Sequence, residues 1–169
     1  MAVLSTEIKF FLSGGAANSD VNASLGGAKS SVEITSATLH NLFDVVSSAE
    51  ASAGDVEYRC IYVENTNGTD SLLSAAAFVS SNTPSSDTAI AIGLGTSAID
   101  ATEQTVANES TAPAGVTFSA PATLGAGLAI GDLTAGQHKA IWIRRTVNAA
   151  AAAYNNDSAT INVGGETSA

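Results

Sequence analysis

Few side chains in this sequence belong to the types that do acid–base or covalent chemistry near neutral pH: His40, His138 and the lone Cys60. Catalysis needs a nucleophile, a base or a metal held among partners. The two histidines form no spaced pair of the HExxH kind, and a solvated or capping imidazole is the expected role of each. Cys60 sits between Arg59 and Ile61 in a stretch of strand character. Strand alternation sends Arg59 to the opposite face, so a buried, inert thiol is expected.

Other motifs fall short as well. Gly93 and Gly95 lack the third glycine and the following helix of a dinucleotide fingerprint, and neither a GK[ST] loop nor a GxSxG elbow occurs. The 16 acidic residues allow many carboxylate pairings, none with a supporting pattern. Asn155, Asn156 and Asp157, or Asp100, Glu103 and Glu109 of the 97–113 loop, offer oxygen ligands without EF-hand spacing. Turns held by Asx side-chain bonds are expected there. A non-enzymatic protein is therefore expected, with no catalytic residue, no cofactor and no metal.

The elements that would carry these side chains read as strands. The densest is 138–148 (HKAIWIRRTVN), which holds the only tryptophan, Trp142, and three of the six basic residues. Arg144 and Arg145 are adjacent and point to opposite faces. They serve either as salt-bridge anchors at a subunit contact or as pairs with acids of the same domain. A second strand of this kind covers 57–64, with Tyr58, Cys60 and Tyr62 on one face and Arg59, Ile61 and Val63 on the other.

Further strands are expected at 8–12, 32–35, 72–80, 88–94, 116–119, 127–130 and 158–163, separated by Gly, Pro and Asn turns. Leu39, Leu42, Phe43 and Val46 match the i, i+3, i+4, i+7 template, which predicts a short helix or turn. Residues 47–55 read as a loop. The last six residues, GGETSA, read as a flexible end. Strands at this spacing favour an all-β, antiparallel sandwich with at most one short helix. Residues 1–31 read as an N-terminal strand and extended arm, and 32–169 as the sandwich domain. Phe10, Phe11 and Leu12 could add to a neighbour's sheet edge or form a strand of their own sandwich.

Composition narrows the partners. Charged residues are 13% of the chain against a norm of about 25%, and Ala, Ser, Thr, Gly and Asn take their place. Such side chains lose little entropy when covered, which suits packing against copies of the chain or a large partner. A net charge of −10 argues against nucleic acid and anionic membranes, where clustered Lys and Arg are needed. The first residues, MAVLSTEIKFFLSGG, lack the basic and apolar regions of a signal peptide, and no run of about 18 apolar residues occurs. Four N-x-[ST] sequons read as accidents of an Asn-, Ser- and Thr-rich chain.

Four collinear segments carry a family resemblance: IKFFLSGGAANSDVNASLGG (8–27), NLFDVVSSAEASAGDVEYRCIYVENTN (41–67), SSNTPSSDTAIAIGLGT (80–96) and LTAGQHKAIWIRRTVNA (133–149). Together they resemble small proteins encoded among the structural genes of tailed bacteriophages and prophages. The resemblance implies an immunoglobulin-like β-sandwich displayed in many copies on the virion. The implied role is a capsid decoration (cement) protein, or an accessory tail or baseplate protein. Implied partners are the major capsid protein or tail proteins and copies of the chain itself as a homo-oligomer, after synthesis in the host cytoplasm. A module that binds a host glycan or receptor is the alternative. The resemblance brings no catalytic residues.

Overall fold

The computed structural model describes residues 2–167. Ten strands run in chain order: β1 (Ile8–Ser13), β2 (Gly26–Gly27), β3 (Lys29–Glu33), β4 (Asp55–Asn65), β5 (Leu72–Ser81), β6 (Thr88–Leu94), β7 (Glu103–Thr105), β8 (Leu128–Leu133), β9 (His138–Val147) and β10 (Thr160–Thr167). One α-helix, α1 (Ser48–Ala53), precedes β4. All strand pairs are antiparallel. A five-stranded sheet has the order β3-β1-β4-β9-β6, a three-stranded sheet the order β10-β5-β8, and β2 pairs with β7.

The two expected long strands form the spine. β4 and β9 pair without a break from Asp55↔Val147 to Glu64↔His138. On the inner face Ile61, Val63, Ile141 and Ile143 meet Leu72, Ala77 and Val79 of β5 and Leu133 of β8, so the core lies between two sheets. The outer face is covered too: Cys60, Tyr62, Ala140 and Trp142 lie beneath Tyr58, Val106, Val116 and Phe118. Burial on both sides explains why neither face of these strands alternates cleanly with polar residues.

The cover on the outer face is locked by one hydroxyl. Tyr62 donates to the Gly27 carbonyl at 2.6 Å and accepts from the Glu103 amide at 2.9 Å, tying β2 and β7 to β4. Gly26 makes that approach possible. Its φ is +95°, and a Cβ there would lie 1.8 Å from the Gln104 carbonyl oxygen.

Several expectations are corrected. Residues 1–31 are not a strand and arm set apart from a sandwich at 32–169. β1 lies inside the sheet, paired with β4 from Ile8↔Asn65 to Leu12↔Ile61 and with β3 on its other side. Ile8 and Phe10 pack on the core, and Leu12 is buried. The connection at 14–28 is held down by its own polar side chains: Asn18 Nδ2 donates to the Ser13 carbonyl at 2.6 Å, and the Asp20 carboxylate accepts from the Asn22 amide.

The helix is displaced from its expected place. Residues 39–46 form turns and bends, with His40 and the preceding Ala37 at positive φ. Leu42 and Phe43 anchor this segment to the core, while Leu39 points outward. The helix follows in the expected loop, where Ser47 and Glu50 form a reciprocal capping box. At 116–119 only an isolated bridge, Ile92↔Ser119, is present. β10 runs through Gly164 and Gly165 to Thr167, so most of the expected flexible end is strand; Ser168 and Ala169 lie outside the described residues.

Candidate functional site

The chemically richest part of the molecule is the Asp55 end of β4 with the facing end of β9. Glu57, Arg59, Ile61 and Val63 share the inner face, but apolar packing ends at Ile61 and charged residues take over. Arg145 lies opposite Glu57 and binds its Oε2 through Nε and Nη2. The same guanidinium reaches the Asp44 carbonyl at 2.6 Å and its carboxylate at 3.3 Å. Arg59, with a fully buried side chain, pairs with Glu109 at 2.5 Å and donates to Asn22 Oδ1 at 2.9 Å. The Phe43 ring lies against both guanidinium groups, 5.4 Å from Arg59 and 4.9 Å from Arg145.

Charge burial sets the electrostatics here. Desolvation pushes the Glu57 carboxyl above its ordinary range despite the opposing pull of Arg145. Beside the cluster lies an open depression of about 360 Å³ lined by Asn22, Leu25, Asp44, Ala107, Asn108 and Glu109. Its walls offer amide and carboxylate groups but no hydroxyl, thiol or imidazole. They suit hydrogen bonding to a partner.

The residues singled out from the sequence fall in different places. Phe10 packs on the inner core, Phe11 carries the Lys29 ammonium 4.1 Å from its ring, and Leu12 is buried. The three are therefore shared between the two faces of an inner strand. Arg144 turns to the outer face, 5.3 Å from the Phe118 ring, while Arg145 belongs to the cluster above. The structure thus separates Arg144 from Arg145, as strand alternation requires.

His40 is exposed in a turn, and His138 caps the start of β9, where its Nδ1 lies 3.2 Å from Asp100. Desolvation lowers the His138 pKa against the pull of Asp100. Cys60 is fully buried, and desolvation pushes its thiol far above the ordinary range.

The acids of the 97–113 loop all have partners within the chain. Asp100 accepts from the His138 amide, Glu109 holds Arg59, and Glu103 accepts from the amides and hydroxyls of Thr96 and Ser97. Burial opposes ionisation of Glu103. The Ser97 donors, the Trp142 indole N–H and the Thr96 amide outweigh it and hold the carboxyl at about 2, although the indole makes no hydrogen bond of regular geometry. Asp157 accepts from the Ser85 amide and the Thr88 hydroxyl.

Arg59 and Glu109 were not legible as a pair, because 50 positions separate them. The one available signal was an arginine in the middle of an otherwise apolar strand, which demands a partner if buried.

No helix of the described residues is long and apolar enough to cross a membrane. No family model matches the chain. No curated protein and no solved structure matches it either.

Proposed function

We propose that this chain is a non-enzymatic structural protein of a tailed-phage virion, a capsid decoration protein that stabilises the head through protein–protein contacts. The supporting observation is the internal use of charge. Each of the six basic side chains is engaged within the chain: Lys9 with Glu33, Lys29 with Glu64, Arg59 with Glu109, Lys139 with the Ser97 carbonyl, Arg144 on Phe118 and Arg145 with Glu57. What remains for contacts is a net acidic surface rich in small, weakly polar residues, with isolated apolar side chains such as Leu39 and Val45. A covered sheet with this exterior gives a rigid block that loses little side-chain entropy on packing.

The immunoglobulin-like assignment belongs to the same proposal, supported by two antiparallel sheets closing on one core. Residence on the virion and assembly with the major capsid protein and with copies of itself rest on the phage-family resemblance.

The test is removal and restoration. Particles assembled without the chain should release their DNA at a lower temperature, and adding the purified chain should restore the original value. Equal heat resistance with and without the chain contradicts a cement role. Recognition of a host glycan is the second reading, favoured by the polar depression at Asn22, Asp44, Asn108 and Glu109. A glycan array with no specific binding removes it.

A further inference from the structure

The Asp55 end of β4 carries more negative charge than its two arginines balance. Arg59 and Arg145 pair with Asp44, Glu57 and Glu109, and Glu50 and Asp55 add two further carboxylates beside Glu57. Three of these converge, since oxygens of Glu50, Asp55 and Glu57 lie within 4.8 Å of one another. The fold enforces this. Asp55 and Glu57 are two apart on one strand face, and the capping box fixes Glu50 in the helix that leads into that strand.

A second observation concerns Glu57 itself. The residue is 1% exposed, Arg145 occupies its Oε2, and its Oε1 is buried with no hydrogen-bond donor. A buried carboxylate oxygen facing neither water nor a donor is costly. Neither Glu50 nor Asp55 forms an ion pair with a basic side chain among the described residues.

We propose that the carboxylates of Glu50, Asp55 and Glu57 bind one hard divalent cation of the Ca²⁺ or Mg²⁺ class, clamping the end of α1 to the start of β4. An all-oxygen donor set selects such ions over zinc or copper, which favour nitrogen and sulfur. Ca²⁺ is the better fit, because it tolerates irregular arrays completed by carbonyls and water. The cation would supply the positive charge that the arginines do not, and the inference is independent of any place on a particle.

The full chain is stripped with chelator and dialysed. It is then titrated with CaCl₂ and, separately, MgCl₂ by calorimetry and thermal unfolding, with NaCl at matched ionic strength as control. Binding should be saturable at one ion per chain, and Tm should rise by about 5 °C or more at a hundredfold excess over Kd. Asp55→Asn and Glu50→Gln should each weaken binding at least tenfold, while their Tm without cation equals or exceeds that of the parent. These two positions are chosen because Glu57 is buried against Arg145, and replacing it endangers folding. Absence of one-to-one binding by both ions overturns the proposal. Undiminished binding in both variants overturns it as well.

Discussion

Arg145 and Glu57 stand directly opposite each other across the β4–β9 ladder and form a two-point ion pair, with the Glu57 side chain 1% exposed and that of Arg145 11%. A pair this dry is held by geometry, and its members cannot be removed singly without exposing the cost of charge burial. Arg145→Ala should destabilise the chain by about 3–5 kcal/mol in urea unfolding, because Glu57 is left buried without its ionic partner. Replacing both residues with apolar ones of similar volume, Glu57→Leu with Arg145→Met, should cost much less. Equal losses in the single and double variants would mean that the pair is not electrostatically coupled.

Trp142 is fully buried on the outer face with Cys60, Tyr62 and Ala140. Trp142→Ala should cost about 3–5 kcal/mol, with thermal unfolding as the measurement. As the only tryptophan, it also reports on the fold. The native chain should emit at short wavelength and shift to longer wavelength on unfolding. A variant that keeps full stability but no longer joins a particle would make β9 a contact surface.

Glu103 gives the chain a pH dependence of known sign. Its carboxyl sits at about 2 in the folded state against 4.5 ordinarily. A lowered folded pKa means that its contribution is complete above about 4.5 and is lost as pH falls towards about 2. Glu103→Gln should therefore be less stable than the parent at pH 7, by on the order of 3 kcal/mol. The gap should narrow steadily through that window, as read from unfolding midpoints at successive pH values. A gap that stays constant with pH would mean that the lost hydrogen bonds, rather than the charge, set the cost.

Much of the fold was legible where local pattern and tertiary role agree. β4 and β9 carry dense β-branched and aromatic residues and β6 three β-branched ones, and all three strands are buried through their middles. Arg144 and Arg145 divide between the faces as their adjacency requires. The helix was misplaced because Leu42 and Phe43 are core anchors at helical spacing on a chain that bends through positive φ at Ala37 and His40. The Ser47–Glu50 capping signature was present, but α1 buries none of its own residues and so shows no apolar stripe.

Residues 1–31 read as a strand with an extended arm because the small, polar residues after β1 look unstructured. What ties them down is side-chain bonding to distant backbone, such as Asn18 to the Ser13 carbonyl and Ser30 to the Asn18 carbonyl. The charged cluster stayed hidden for a related reason. Its members come from residues 44, 57, 59, 109 and 145, and no local pattern joins them.

The central proposal, a contact-making structural protein of the virion, is tested most directly by the location and copy number of the chain in purified particles. Imaging of intact particles, combined with quantitative mass spectrometry, measures both. The expected result is density for this two-sheet domain on the head surface in high copy number, repeated by the symmetry of the capsid. A handful of copies confined to the tail would contradict the capsid role and favour the tail role. Absence of the chain from the particle would contradict both.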